Sequence, residues 1–178
     1  MVVALTIVPA LGGETKKQQK QQEVRQMADE TLGRLYKAEP SAKEAISRAA
    51  GYAVFSNVGV KIMVAGSGNG KGIAVNNKNK QETFMKMLEI QGGLGFGVKK
   101  FRIVFVFGTE GALNSFVESG WQLGGQTSVA AKAGDTGAAM AGAIAAAPAV
   151  WMYQLTDSGV ALEITAKGTK YYKDGDLN

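Results

Sequence analysis

The fold class is decided by the stretch Phe101-Arg-Ile-Val-Phe-Val-Phe107. When this stretch is extended, apolar side chains occupy both of its faces: Phe101, Ile103, Phe105 and Phe107 on one, Val104 and Val106 on the other. A strand that is apolar on both faces is normally covered on both. The stretch is therefore predicted to be the most buried strand of the chain.

The residues that follow predict a short helix and another strand. Thr109 can cap a helix that ends at Gly120, because Thr accepts hydrogen bonds from free helix amides and Gly readily adopts the conformation that ends a helix. Residues 121–131 alternate between apolar and polar side chains, which is typical of a half-buried strand.

The last third of the chain contains an Ala- and Gly-rich tract, a hairpin and a tail. Residues 132–149 contribute little apolar transfer energy, so they predict a mobile loop rather than a membrane span. The runs 150–156 and 160–165 predict a hairpin. The remaining residues, with Tyr171 and Tyr172, are interpreted as a polar tail.

Two glycine-rich stretches precede the central strand. Residues 84–100 are predicted to be extended, with Gly93, Gly95 and Gly97 on one face. A regular row of glycines favours tight sheet curvature, as at the corner of a small barrel. A ligand pressed against this bare face is the alternative interpretation.

The other stretch, residues 66–72, is predicted to be the turn of a hairpin formed by 52–55 with 60–64 and 73–75. A phosphate-binding loop requires Ser or Thr directly after its Lys, whereas Gly72 follows Lys71. Nucleotide binding is therefore not expected.

Two helices are predicted before the strands. Residues 14–37 repeat apolar side chains at spacings of three and four, which indicates an amphipathic helix that Pro40 ends. Ser41 and Glu44 have capping-box spacing, and a second helix is predicted from Ser41 to Ala50, with Gly51 as its C-terminal stop. The predicted fold class is α+β: a small antiparallel β-barrel-like core with about three helices packed on its surface and flexible Gly/Ala-rich loops.

The first 13 residues form a signal-like or leader segment, since an apolar run ends in Gly12 and Gly13. Residues 14–178 are expected to form a single domain. The segment favours an exported, periplasmic or cell-envelope-associated protein.

The composition excludes several kinds of catalysis. Among 178 residues there is no His and no Cys, which removes imidazole bases, thiol nucleophiles, disulfides and the usual zinc ligands. The acidic residues form no evident cluster, so no catalytic residue, metal site or cofactor is predicted. Asp174-Gly-Asp-Leu-Asn178 begins like a calcium loop but lacks the later ligands, and it is interpreted as a solvated tail.

The net charge of +5 favours acidic partners, and the basic residues fall into three groups. One group lies on the first helix, one flanks residues 66–72, and one lies near the central strand. The candidate lipid-binding residues are Lys16, Lys17, Lys20, Arg25, Lys71, Lys78, Lys80, Lys99, Lys100 and Arg102. Nucleic acid is not expected as a partner, because single-strand binding normally needs exposed aromatic residues and the Phe residues here are predicted to be buried.

Four motifs in order resemble the SYLF domain, a lipid-binding domain: Gly51-Tyr-Ala-Val-Phe-Ser-Asn-Val58, Gly70-Lys-Gly72, Gly92-Gly-Leu-Gly-Phe-Gly97 and Leu123-Gly-Gly-Gln-Thr-Ser-Val-Ala-Ala131. The resemblance covers roughly residues 15–173. It implies a non-enzymatic, barrel-like domain that binds anionic lipids, especially phosphoinositides, and it places candidate contacts at Lys16, Lys17, Lys20 and Arg25. The basic residues on the strands are an inference from charge alone.

The predicted function is weak electrostatic binding of anionic phospholipid or phosphoinositide headgroups by a monomer in peripheral contact with a membrane. The alternative is a cell-envelope structural or protein-interaction module that binds a partner through residues 132–149. The chain has no cysteine to carry a lipid anchor, so lipid anchoring through these residues is not expected.

Overall fold

A computed structural model describes residues 11–57, 67–90, 101–123, 140–156, 159–161 and 168–178, with main chain only at 11–14, 67–69, 89–90 and 161. Three helices and nine strands lie in these ranges. In chain order they are α1 (Leu11–Ala38), α2 (Ser41–Arg48), β1 (Gly51–Ser56), β2 (Ser67–Asn76), β3 (Glu82–Ile90), β4 (Arg102–Phe107), α3 (Glu110–Ser119), β5 (Trp121–Leu123), β6 (Ile144–Ala147), β7 (Val150–Thr156), β8 (Gly159–Ala161) and β9 (Thr169–Lys173).

The strands form one antiparallel sheet in the order β5-β9-β3-β2-β1-β4-β7-β6, and β8 pairs with β7 beside β6. The sheet curls into a nearly closed barrel, which confirms the predicted α+β class with a barrel-like core. Strand β4 lies between β1 and β7, and its residues from Ile103 to Phe107 are all fully buried. The prediction for this strand is therefore confirmed.

The sheet has two apolar faces with different covers. The face formed around Phe55, Phe105 and Tyr171 is called the inner face, and α3 contributes Leu113 and Phe116 to it. The outer face carries residues such as Val54, Ile73 and Val104, and α1 and α2 cover it. Because successive side chains of a strand point to opposite faces, the two-sided apolar pattern of β4 requires both covers.

The short helix α3 forms as its sequence signals indicate. The Thr109 hydroxyl accepts a hydrogen bond from the Ala112 amide at 3.2 Å. Gly120 follows the helix with φ +69°, a left-handed conformation that other residues adopt at a cost. The capping box predicted for α2 is wrong: Ser41 Oγ donates to Glu39 Oε1 at 2.6 Å, and the N-cap residue is Pro40, which makes no side-chain capping bond.

The glycine-rich stretch 66–72 is not the turn that its composition suggests, since residues 67–72 belong to β2. Strands β1 and β2 do pair, but in a different register from the predicted hairpin: Tyr52 pairs with Val75 and Ser56 with Lys71, which lies within the predicted turn. A Cβ at Gly70 would lie 2.8 Å from the Ser56 carbonyl oxygen, so glycine is needed for close approach rather than for turning.

Two predicted irregular segments are also partly ordered strand. Residues 144–147 of the predicted 132–149 loop form β6, in which Ala146 is buried. The predicted polar tail is wrong, because β9 pairs with both β3 and β5 and fully buries Tyr171 in the inner face. Nonlocal pairing outweighs the polar composition of this stretch.

The terminal hairpin is confirmed where the structure describes it, since Leu155 pairs with Val160. Helix α1 begins at Leu11, so the last three residues of the predicted leader, 11–13, are helical. The Gly93, Gly95 and Gly97 row lies outside the described residues.

Candidate functional site

Helix α1 lies across the outer face of the sheet. Its residues Val24, Ala28, Leu32 and Leu35 recur at spacings of three and four and are at most 9% exposed. They pack in one cluster with residues of four adjacent strands, Phe84, Ile73, Val54 and Val104. This docking places charged side chains of α1 next to charged side chains of the strands.

Three ion pairs join α1 to the strands beneath it. They are Glu23 Oε2 with Lys71 Nζ at 3.2 Å, Arg25 Nη2 with Glu82 Oε2 at 2.8 Å, and Glu30 Oε2 with Arg102 Nη1 at 3.4 Å. The strand partners lie on β2, β3 and β4 respectively. Three of the predicted lipid-binding residues therefore already have anionic partners within the molecule.

The two arginines are held by more than their ion pairs. The guanidinium carbon of Arg25 lies 5.1 Å from the centre of the Phe84 ring, a cation–π arrangement. The Arg102 side chain is only 11% exposed, and its Nη1 also donates to Thr31 Oγ1 at 3.3 Å. A lipid headgroup would have to compete with these contacts.

Two further predicted residues have partners within the described part of the chain. Lys17 Nζ donates to the main-chain oxygen of Asn178 at 2.8 Å. Lys78 Nζ lies 3.7 Å from Glu110 Oε1, and both side chains are largely exposed. An exposed pair of this kind contributes on the order of 1 kcal/mol or less, so Lys78 exchanges its partner readily.

Lys16, Lys20 and Lys80 are exposed, and the side chain of none of them makes a hydrogen bond or ion pair with the residues that the structure describes. The first two lie on the N-terminal part of α1, beside Lys17. Lys99 and Lys100 lie outside the described residues. Among the eight candidates that the structure describes, Lys16 and Lys20 are thus two exposed cations close together on one helix, without a side-chain partner.

The predicted group of Lys71, Lys78 and Lys80 is split by the fold. Because residues 67–72 are strand, Lys71 lies in β2, whereas Lys78 and Lys80 lie beyond its end in the connection to β3. Five steps of extended chain, about 16 Å, separate Lys71 from the end of β2 at Asn76. The grouping was wrong because it assumed a glycine turn.

Sequence reasoning missed exposed cations at the other end of α1. Lys37 is in its last turn, and Lys43 is in α2. The helical periodicity could have identified Lys37 as exposed, because Lys37 does not belong to the apolar series of Val24, Ala28 and Leu35.

The most compact electrostatic cluster is at the end of the chain. Lys86 Nζ lies 2.8 Å from both Asp174 Oδ1 and Asp176 Oδ2. Hydrogen bonds to Asp174 and then Asp176 raise the pKa of Lys86 above its ordinary 10.5. The hydrogen bond from Lys86 is the main reason that the pKa of Asp176 is below 3.8, and the charge of Lys20 adds to it. The predicted solvated tail is thus a fixed structure, and Asp174 is buried within it.

Within the described ranges, no set of three or more acidic side chains is arranged to hold a metal ion. The helices that the structure describes include none with the length and apolarity of a membrane span.

Comparison with known proteins places this arrangement in a family. A family model described as Ysc84, Las17-binding protein actin regulator, matches residues 88–178, just over half of the chain. The chain belongs to the Ysc84 (SYLF) family. The match covers the glycine motif 92–97, the motif 123–131 and the terminal cluster, and it does not extend to α1.

A curated relative, beta cell expansion factor A of Aeromonas veronii, is 33% identical over 153 residues, or 85% of this SYLF chain. The alignment covers 56% of that protein, so the chain spans little more than half the length of the relative.

Proposed function

We propose that this SYLF domain binds anionic phospholipid headgroups, phosphoinositides among them, at a membrane surface and without catalysis. Its main contacts are Lys16, Lys17 and Lys20 at the N-terminal end of α1. The observation that carries the proposal is the exposure of Lys16 and Lys20, while Arg25, Lys71 and Arg102 are paired within the molecule.

The charge pattern of α1 favours contact through its end rather than along its length. Exposed carboxylates of Glu23, Asp29 and Glu30 follow the lysines along the helix. A membrane lying flat along α1 would meet these carboxylates, and like charges repel. We therefore expect the lysine end to face the membrane.

The binding is expected to be weak and sensitive to salt. Each lysine near an anionic surface contributes about 1 kcal/mol, and the attraction falls off within a Debye length. Three lysines thus provide at most about 3 kcal/mol, which is enough for peripheral and reversible contact.

The test is sedimentation with vesicles of phosphatidylcholine alone and with phosphatidylglycerol or a phosphoinositide added. We expect a preference for the anionic vesicles at low salt. The triple variant Lys16→Gln, Lys17→Gln, Lys20→Gln should lose that preference. No preference in the wild-type chain would sink the proposal.

A matched control removes the same charge elsewhere, through Lys37→Gln, Lys43→Gln and Lys170→Gln, all exposed positions in the wild-type chain. We expect this control to keep most of the preference. Equal losses in both triple variants would show that net charge, and not the lysine end of α1, governs binding.

A second candidate function is protein binding through residues 132–149. Two observations favour it: the family model is described by Las17 binding and actin regulation, and β6 is the last strand on its side of the sheet path. Edge strands can pair with an added strand of a partner, and Ile144 and Ala147 of β6 are half-buried.

The second candidate is tested by the binding of purified Las17 and of actin filaments to the wild-type chain and to a variant lacking residues 132–139. The deletion leaves β6 in the sequence. Binding that the deletion abolishes supports the partner function, while absence of binding to either protein counts against it and leaves lipid binding unaffected.

A further inference from the structure

Helix α1 is attached to the sheet in two different ways along its length. Among residues 15–23, which we call the lysine arm, no side chain is buried. From Val24 to Leu35, by contrast, the apolar stripe is packed in the outer cluster. The lysine arm is therefore held by polar contacts alone and is the easier part of the helix to displace.

Two of these contacts connect the arm to the last residues of the described chain. Gln21 Nε2 donates to the main-chain oxygen of Leu177 at 2.8 Å, and Lys17 Nζ donates to that of Asn178 at the same distance. On its other side, the arm is joined to β2 by the ion pair of Glu23 with Lys71.

The segment Asp174–Asn178, which we call the clasp, is itself firmly fixed. The Asn178 side chain bonds to both main-chain groups of Phe84: Oδ1 accepts from the amide at 2.9 Å and Nδ2 donates to the carbonyl at 2.7 Å. Leu177 is buried in the outer cluster, and Lys86 holds Asp174 and Asp176. The clasp is thus the fixed partner in this contact and the arm the movable one.

The clasp also brings negative charge to the arm. The charge of Lys20 contributes to the low pKa of Asp176, whose side chain is 84% exposed. The main-chain oxygens that accept from Lys17 and Gln21 carry partial negative charge as well. The lysines of the arm therefore have a competing anionic environment within their own molecule.

We propose that Asp174–Asn178 is an autoinhibitory clasp, which competes with anionic headgroups for the lysines of the arm. The inference rests on the proposed function, because it describes the regulation of the same lysines. In the clasped state Lys17 is engaged, and the positive charge of Lys20 interacts with the carboxylate of Asp176. An anionic membrane must displace the arm, or its lysines, from the clasp.

The first experiment compares Asp176→Asn with Glu44→Gln in the vesicle assay. Both variants raise the net charge by one, but Glu44 lies on α2 and pairs with Arg48 in the same helix. We expect Asp176→Asn to raise affinity for phosphatidylglycerol vesicles about fivefold, the effect of one near-surface charge, and Glu44→Gln to change it less than twofold.

The same substitution is then made in the chain that lacks the three arm lysines. The gain from Asp176→Asn should disappear there, because the clasp has no lysine to compete for. A gain that persists, or an equal gain in Asp176→Asn and Glu44→Gln, would overturn the clasp and leave the proposed function intact.

A measurement without lipid tests the contact itself. Asn178→Ala removes the bonds to Phe84, and we expect faster amide hydrogen exchange at residues 15–23 with little change at 24–38. Unchanged exchange in the arm would overturn the clasp. If no variant prefers anionic vesicles, the proposed function and the autoinhibition both fail, and the exchange result still reports whether the clasp holds the arm.

Discussion

The inner and outer faces of the sheet are both buried, but their covers differ in kind. On the inner face, Phe105 contacts the rings of five neighbours: Phe55, Phe107, Phe116, Trp121 and Tyr171. On the outer face, one apolar stripe of α1 is flanked by ion pairs and a row of polar contacts. We therefore expect substitutions on the inner face to cost more stability, and we expect the outer face to be the part of the molecule that responds to charge.

The largest expected effect is on the inner face. Phe105→Ala removes a fully buried ring and should lower the free energy of unfolding by about 4 kcal/mol. Urea unfolding followed by circular dichroism measures this. Leu32→Ala, at the margin of the outer cluster, should cost less, and an equal or larger loss there would reverse the comparison between the faces.

The next effect concerns the close approach of β2 to β1. A Cβ at Gly72 would overlap the Phe55 ring and lie 2.7 Å from the Val54 carbonyl oxygen. Gly72→Ala should therefore destabilise the fold by about 2 kcal/mol through overpacking. Gly111→Ala is the matched control: nothing lies near its added Cβ, and in α3 it should stabilise slightly. If thermal unfolding shows the same stability for Gly72→Ala as for the wild-type chain, the two strands can separate at that point.

On the outer face, each ion pair should contribute less to the free energy of unfolding than an aromatic ring of the inner face does. Arg102→Met keeps the aliphatic stem but removes the bonds to Glu30 and Thr31, and it should cost about 1 kcal/mol. Arg25→Met should cost less, because the Arg25 side chain is 38% exposed and water screens its pair. Chemical unfolding of the two variants measures the difference, and the opposite ranking would contradict the role assigned to burial.

The smallest expected effect is the response of the clasp to acid. The pKa of Asp176 is depressed in the folded chain, so its contribution is present above its ordinary 3.8 and is lost as the pH falls through the lower folded value. Amide exchange in residues 15–23, corrected for its intrinsic pH dependence, should therefore accelerate below about pH 4. Asp176→Asn should remove this acceleration, and a response that survives the substitution would assign it to another group.

The sequence predicted the elements whose signals are local. The two-sided apolar pattern of residues 101–107 identified the central strand, and Thr109 and Gly120 identified the ends of α3. The ordered glycine motifs predicted the family that the comparison then showed. These signals succeed because periodicity and capping depend on residues within a few positions of one another.

The incorrect predictions from the sequence have a common physical origin. Residues 67–72 and 169–173 have the composition of a turn and of a tail, but partners from distant parts of the sequence make them strands. The candidate site was affected in the same way: charge identified the basic residues, while pairing with Glu23, Glu30 and Glu82 decided which remain exposed. No local pattern specifies such pairing.

The sequence by itself determined the helices, the central strand, the excess of basic charge and the absence of His and Cys chemistry. Only the tertiary structure decided that β9 lies within the sheet and that the chain end lies against the lysine arm. The reason is separation along the chain: Lys17 meets Asn178 across 161 residues. Contacts over such distances depend on how the faces of whole elements pack, and they arise only when the sheet and α1 have come together.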